Sequence, residues 1–215
     1  MNTKEKFVIT ISREVGSGGR TIGRKLAEKL GVRYCDKYLI ESLIEQFGLT
    51  TAQIEEIKGK KKNWLADFLG RISEAPRPAA FLDRSPYDLM AETASADTFF
   101  QREKEILGEL AEEESCVIAG RSGFYVLKNH PNRLDIFVRA PREHRIERIM
   151  RRQNLSREEA EKVLVSLDEK RENYIRRISG TSRYDARNYD LVLNVAGMSE
   201  DEAVDCILNF IRSQS

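Results

Sequence analysis

The fold is decided by Phe7-Val-Ile-Thr-Ile11, the turn Gly16-Ser-Gly-Gly19 and the periodic segment that ends at Gly31. The β-branched run predicts a short buried strand, and the glycines after it predict a tight turn. Apolar residues then recur at helical spacing before Gly31, a typical helix end; they are Ile22, Leu26, Ala27 and Leu30. The stretch therefore predicts a strand, a glycine-rich turn and a helix in direct succession.

Four further short apolar runs predict strands, at 32–35, 116–119, 134–138 and 191–195. Each run is followed by a turn and a helical pattern, and Asp36 is a candidate N-cap for the helix after the second run. The last helix is predicted to begin near Ser199, with its apolar residues on one stripe. Strands that alternate with helices predict βαβ units and a parallel sheet covered by helices on both faces.

A long charged helix is predicted just before the last strand. Ser156-x-x-Glu159 forms a capping box at its start, and the pattern ends near Arg177. Its thin apolar side contains Val163, Leu167 and Tyr174. Charge alone favours a solvent-exposed helix, but the position before the last strand also suits a role at a ligand site.

The composition excludes several classes of protein. Hydrophobic residues make up 40% and charged residues 33% of 215 residues, which predicts a folded domain with a charged surface. The net charge of +1 gives no global argument for nucleic-acid or membrane binding, so any anion site must be local. No apolar run reaches the ~18 residues of a spanning helix, and the first residues lack a signal-peptide core, so we expect a cytoplasmic protein.

The cysteines predict neither a disulfide framework nor a zinc site. Cys35, Cys116 and Cys206 are odd in number and far apart, and no Cys-x-x-Cys spacing occurs. All three lie in apolar sequence, which predicts that they are part of the core.

The glycine turn is a candidate phosphate site, because backbone N–H groups and a helix N-terminus converge there. The standard motif is G-x-x-x-x-G-K-[ST], and two alignments with it stay open. Without a gap, Arg13 stands at the first glycine, Gly19 at the lysine and Arg20 at the hydroxyl position. A shift of one residue makes Gly19-Arg20-Thr21 the Gly-Lys-Thr equivalent. The other interpretation is a plain strand-to-helix turn without a ligand.

Three segments together resemble the cytidylate-kinase-like family. The longest runs from Thr10 to Asp36, and the others are Val117-Ile-Ala-Gly-Arg121 and the stretch from Leu191 to Ala203. The resemblance implies a single α/β domain over 1–215, the P-loop NTPase three-layer sandwich with a five-stranded parallel sheet and helices on both faces. It further implies a helical insertion at 49–110 that binds the nucleoside monophosphate, and an arginine-rich lid at 151–187.

The resemblance implies roles for individual residues at the ATP site and at the acceptor site. The ATP phosphates would contact Arg13, Gly16, Ser17, Gly18, Gly19, Arg20 and Thr21. The hydroxyl of Thr21 or Ser17 would lie near Mg²⁺, the cofactor that accompanies ATP. Asp36 and Arg121 would bind the acceptor, although Asp36 could instead contact Mg²⁺ or equally only cap a helix. In cytidylate kinases an aspartate follows the arginine that matches Arg121, where this sequence has Ser122.

The motif lysine is missing, so other cations must neutralise the transferred phosphoryl group. Arg20 is our preferred replacement over Arg13, since it stands in the first helical turn after the last glycine. The lid would add Arg152, Arg171 and Arg176, unless these arginines only form salt bridges on an outer helix.

The predicted function is a phosphotransferase that moves the ATP γ-phosphate to a nucleoside monophosphate, with CMP or dCMP the first acceptor to test. The alternative is a nucleotide-binding protein with weak or no turnover, because the motif lysine is missing. A nucleic-acid-binding module is disfavoured by the near-neutral charge, and a membrane partner is not expected.

Overall fold

A computed structural model describes residues 1–36 and 96–214. Five parallel strands form one sheet in the order β2-β3-β1-β4-β5, which confirms the predicted architecture. The strands are β1 (Val8–Arg13), β2 (Arg33–Cys35), β3 (Cys116–Ala119), β4 (Arg133–Arg139) and β5 (Leu191–Asn194). Because all strands are parallel, their carboxyl ends lie at one edge of the sheet, where ligands bind in open α/β folds.

The helices are numbered along the described residues. They are α1 (Gly19–Leu30), α2 (Ala96–Glu113), α3 (Gly123–Val126), α4 (Arg142–Gln153), α5 (Arg157–Ser179) and α6 (Glu200–Ser213), with a 3₁₀ turn at Ala186–Asn188. α5 begins with the predicted capping box of Ser156 and Glu159, and α6 begins with a second one. Within the described ranges, no helix is long and apolar enough to cross a bilayer.

The sheet separates two apolar layers because successive side chains of a strand point to opposite faces. Ile9 and Ile11 of β1 face α1 and α6, where they pack with Leu26 and Ile207. Val8, on the opposite face, belongs to a cluster with α2; its other members include Cys35, Leu107, Leu110, Cys116 and Ile118. The result is a three-layer sandwich.

Two details differ from the sequence predictions. Cys206 is exposed, so the prediction that all three cysteines are core residues is wrong. It precedes the buried Ile207 on α6, and its position falls outside the stripe that faces the sheet. On α5, the buried positions include the acidic residue Asp168, which the apolar pattern did not indicate.

Part of the predicted organisation falls outside the described residues. The helix that Asp36 was expected to cap lies there, as does most of the insertion predicted at 49–110. Only the end of that insertion is described, in α2.

Candidate active site

The glycine loop, residues 14–18, joins β1 to α1 at the carboxyl edge of the sheet. Gly16 and Gly18 have φ angles of 79° and 84°, a left-handed conformation that strongly favours glycine. A Cβ atom at Gly16 would lie 2.6 Å from the carbonyl oxygen of Arg145 in α4. Glycine is therefore required there both for the backbone conformation and for the close approach of α4.

The start of α1 offers N–H groups to an anion. Gly18 is the N-cap and has no side chain that could accept hydrogen bonds from the first turn. The first N–H groups of a helix lack intrahelical acceptors, and the helix dipole adds positive potential. Ser17 does not line the space above the loop, because its hydroxyl donates to the Glu14 carbonyl oxygen at 2.9 Å. The backbone of the loop thus fits a phosphate group.

Two carboxylates hold the glycine loop in place. Glu14 Oε2 accepts from the N–H of Ala140 at 3.0 Å, which ties the loop to the end of β4. Asp168 of α5 accepts from the N–H of Val15 at 3.2 Å and from Arg145 Nη1 at 2.6 Å. The long charged helix is therefore bonded directly to the loop, and it is not merely a solvent-exposed element.

Two adjoining pockets open at this edge of the sheet. The first, here the loop pocket, lies over the glycine loop and the first turn of α1, and its lining includes Gly16, Gly18, Gly19, Arg20, Thr21 and Arg152. The second, the strand-end pocket, lies beyond β1 and β3, and its lining includes Ser12, Glu103, Arg121, Phe124, Tyr174 and Arg183. Arg13 and Arg171 line both pockets, so they mark the boundary between them.

The side chain of Arg13 runs from the glycine loop towards the end of β3. A Cβ atom at Gly19 would lie 2.6 Å from the Cβ of Arg13, and one at Gly120 would lie 2.9 Å from its guanidinium carbon. The arginine consequently fills the space that a side chain at position 19 would need. In the ungapped alignment, Arg13 and Gly19 have exchanged the roles of the first glycine and the lysine.

Arg13 and Arg171 are cations without an acidic partner. Across residues 1–36 and 96–214, no carboxylate lies within ion-pair distance of either guanidinium. Burial lowers the pKa of Arg13 to about 10, and repulsion from Arg20 and Arg183 acts in the same direction. Burial, together with Arg13 and Arg183, lowers the pKa of Arg171 well below its usual value. An anion bound between the two pockets would offset the burial and the mutual repulsion of both guanidinium groups.

Other predicted phosphate ligands lie at the loop pocket. Arg20 lines it, but its Nε also lies 3.9 Å from the buried carboxylate of Asp36. Arg152 of α4 donates from Nη2 to the hydroxyl oxygen of Thr21 at 3.3 Å. Burial lowers the pKa of Arg152, and repulsion from Arg148 lowers it further. Arg152, which the resemblance assigns to the lid, and the hydroxyl of Thr21 in the first turn of α1 are therefore brought together.

Arg121 lines the strand-end pocket and is itself buried. It forms an ion pair with Glu103 of α2, and the Tyr174 hydroxyl donates to the other oxygen of that carboxylate at 3.2 Å. Arg121 and Ser122 both have positive φ angles, 56° and 54°, which turn the chain sharply after β3. The predicted acceptor residue thus lies at the expected edge of the sheet, with part of its charge already balanced.

One predicted lid residue lies elsewhere, and one pocket residue was missed. Arg176 is on the exposed side of α5, where it pairs with Glu172 one turn earlier, and it lines neither pocket. Arg183 was not predicted, although it is only 5% exposed and lines the strand-end pocket. The missed residue lies in an irregular connection after Gly180, where no periodic pattern marks a buried side chain.

The described residues contain no group of three His, Cys, Asp or Glu side chains that could hold a metal ion on their own. The loop pocket does present the hydroxyl oxygen of Thr21, and Mg²⁺ prefers oxygen ligands that it shares with phosphate. The residues therefore fit a divalent ion that arrives with a nucleotide.

A parallel five-stranded sheet with a glycine loop after β1 and helices on both faces is the fold of the P-loop kinases. The chain belongs to the cytidylate kinase-like family, whose profile matches residues 8–196.

Known proteins agree with this assignment. The chain is 25% identical to a cytidylate kinase of Ignicoccus hospitalis, over 93% of this chain and 96% of the relative. It is 27% identical to a cytidylate kinase of a Thermotoga species, with 97% and 98% covered. Among solved structures, an uncharacterised protein from Eubacterium ventriosum has a TM-score of 0.70 at 21% identity, with 97% and 99% covered. Shikimate kinase from Acinetobacter baumannii has a TM-score of 0.54 at 18% identity, with 100% and 99% covered, and shares the fold.

Proposed function

We propose that this protein transfers the γ-phosphoryl group of ATP, bound as its Mg²⁺ complex, to a nucleoside monophosphate, with CMP or dCMP as the acceptor. The observation that carries the proposal is the pair of adjoining pockets with Arg13 and Arg171 at their boundary. A phosphoryl group in transit between two ligands must occupy such a boundary. The family and its cytidylate kinase relatives support the choice of acceptor.

The loop pocket suits the triphosphate. Its glycine backbone and the first turn of α1 supply N–H donors, Thr21 of the same turn supplies a hydroxyl, and Arg152 of α4 supplies a cation. Thr21 would help to hold the magnesium ion, which would neutralise part of the charge of the phosphates.

The strand-end pocket suits an acceptor with an anionic group and an apolar ring. Its lining contains four arginines, of which Arg13 and Arg171 lie at the boundary, and Phe124, Tyr174 and Ile175 provide apolar and aromatic surface. Arg171 sits on α5, which is tied to the glycine loop through Asp168 and Val15. Both substrates would therefore contact the same helix, which is how a lid senses that both are present.

The alternative is a nucleotide-binding protein with weak or no turnover, because Gly19 stands where the motif has lysine. The position of Arg13 argues against it, since its guanidinium reaches the boundary from the end of β1, on the other side of the loop from Gly19 in sequence. Arg is a competent partner for phosphate through its forked donors.

A coupled phosphotransfer assay with ATP, Mg²⁺ and a panel of nucleoside monophosphates tests the proposal, beside calorimetric binding of the same nucleotides. Turnover that is fastest with CMP or dCMP supports it. Tight ATP binding without turnover on any acceptor favours the alternative.

Two arginines of α5 provide a matched pair for the same assay. Arg171→Met removes a cation at the boundary and should lower kcat by ~10²-fold, the scale for one preorganised charge contact. Arg176→Met removes a cation of the same helix that lines neither pocket, and we expect nearly normal turnover. Equal losses would mean that α5 acts through its overall charge or stability.

A further inference from the structure

Arg183 is a buried cation with an unused donor. It lies in the connection between α5 and the 3₁₀ turn, and its Nη2 donates to the carbonyl oxygen of Arg13. Its Nη1 is 3.7 Å from Asp168 Oδ1, and this nitrogen has no hydrogen-bond partner among the described residues. A buried donor without an acceptor is costly, so such a group needs an explanation.

The neighbouring acids are engaged with other cations. Asp168 accepts from Arg145 at 2.6 Å and from the N–H of Val15 at 3.2 Å. Glu103, the acid that lines the strand-end pocket, pairs with Arg121. Within residues 1–36 and 96–214, the positive charge of Arg183 is therefore only partly balanced, although the residue is 5% exposed.

Arg183 lies away from the loop pocket, which is the proposed site of the ATP phosphates. It lines the strand-end pocket together with Arg13 and Arg171, but it is not part of the lining of the loop pocket. A ligand that reaches its free Nη1 consequently belongs to the acceptor side of the boundary.

We propose that Arg183 binds the anionic group of the acceptor and determines the preference of the strand-end pocket for a phosphorylated over an unphosphorylated acceptor. The inference rests on the proposed function, because it takes the strand-end pocket as the acceptor site. The ligand chemistry is a phosphate monoester, whose oxygens accept from the forked donors of a guanidinium. Arg121, already paired with Glu103, would contribute less to this preference.

The test compares Arg183→Met, Arg183→Lys and the control Arg187→Met. Arg187 lies in the 3₁₀ turn that follows, is 89% exposed and pairs with Asp185. Calorimetry measures the affinity of each variant for CMP, for cytidine and for a non-hydrolysable ATP analogue. Arg183→Met should weaken the affinity for CMP by roughly tenfold to a hundredfold, the range for a hydrogen bond to a charged group. Cytidine and the ATP analogue should bind unchanged, Arg183→Lys should recover part of the loss, and Arg187→Met should behave like the wild type.

If Arg183 only supports the Arg13 carbonyl, its replacement should weaken the binding of CMP, cytidine and the ATP analogue alike. This result would overturn the inference. Folding should tolerate Arg183→Met, since Asp168 keeps Arg145 as its partner. Thermal unfolding of each variant, which is expected to change little, checks this point.

A second titration keeps the inference separate from the proposed function. Inorganic phosphate is added to protein whose loop pocket is saturated with the ATP analogue. If CMP is transferred normally but neither CMP nor phosphate binding changes in Arg183→Met, the inference fails and the proposed function stands. If no monophosphate is phosphorylated, the proposed function fails, and a loss of phosphate binding confined to the Arg183 variants still supports an anion site at this residue.

Discussion

Replacing Arg13 by Met should make the ligand-free protein more stable while it removes the phosphotransfer activity. The side chain is half-buried, has no carboxylate partner among the described residues and is surrounded by other cations. Met has a similar length, so it can keep the apolar contact with Gly19 and the end of β3. The change therefore removes a buried charge and leaves the packing largely intact.

The magnitude follows from the pKa of Arg13. Burial lowers it from 12.5 to about 10, and at about 1.4 kcal/mol for each tenfold change in the protonation equilibrium this corresponds to about 3 kcal/mol. Because the folded-state pKa is the lower one, the cost of the cation is complete below pH 10 and disappears as the pH rises towards 12.5. We therefore expect Arg13→Met to gain about 1–3 kcal/mol between pH 6 and pH 9, without a pH dependence in that window.

Urea unfolding and thermal unfolding measure the gain in the absence of phosphate and nucleotides. For a chain of this length, 1 kcal/mol raises Tm by roughly 2–4 °C. Saturating ATP should then reverse the order, because a ligand at a hundred times its Kd adds about 2.7 kcal/mol to the wild type. Arg24→Met is the control, since that arginine is 52% exposed, pairs with Glu28 on the surface of α1 and should change the stability little.

A loss of stability in Arg13→Met, with Arg24→Met neutral, would refute the reasoning. It would mean that the Arg13 cation is neutralised in the folded, ligand-free protein. An unchanged response of Arg13→Met to ATP would separately remove this residue from the phosphate site.

Four further changes test the site. Gly18→Val should abolish ATP binding in calorimetry, because a Cβ there approaches the Arg148 guanidinium at 3.2 Å. Gly31→Val is the control: it introduces the same left-handed strain, but no atom of the described residues lies within 4 Å of its Cβ, so it should bind ATP normally. Arg121→Lys keeps a cation beside Glu103 and should raise the acceptor KM several-fold with the ATP KM unchanged; equal effects would place Arg121 at the transfer itself. Arg20→Ala should lower kcat by ~10²-fold if the sequence-based choice of cation is right, and far less if Arg13 is the lysine replacement. Gly19→Lys alone should be destabilised by its clash with Arg13, while the double variant with Arg13→Gly should regain stability, and a cycle of unfolding free energies measures the coupling.

The sheet could be predicted because local signals agreed with one another. Short apolar runs marked all five strands, and the run before the glycine turn became the central strand β1. The capping box at Ser156 fixed the start of α5 without any tertiary information. Local hydrogen bonding and burial on both faces leave few alternatives for such segments.

The partners of the arginines could not be predicted in this way. Arg176 and Arg171 lie on the same helix with the same residue type, yet one pairs with Glu172 at the surface and the other faces both pockets. Periodicity could not separate them, since the buried side of α5 also carries Asp168, an acid that the pattern assigned to solvent. Whether a charged side chain faces a site or the solvent depends on residues that are distant in sequence, here those at the ends of β1 and β3.

The two alignments of the glycine turn are a question of space that residue types alone do not answer. A side chain at position 19 and the side chain of Arg13 would need the same space, because a Cβ at Gly19 would lie 2.6 Å from the Cβ of Arg13. Only one of the two positions can carry a long cation, and the other must be glycine. In the ungapped alignment, the exchange of Arg13 and Gly19 would be a single coupled change, because it would move the cation to the other end of the loop and keep the charge at the boundary of the two pockets. A chain with this exchange lacks the standard motif in its sequence but retains its electrostatics, provided that the guanidinium faces the phosphates from β1 as the lysine would from α1.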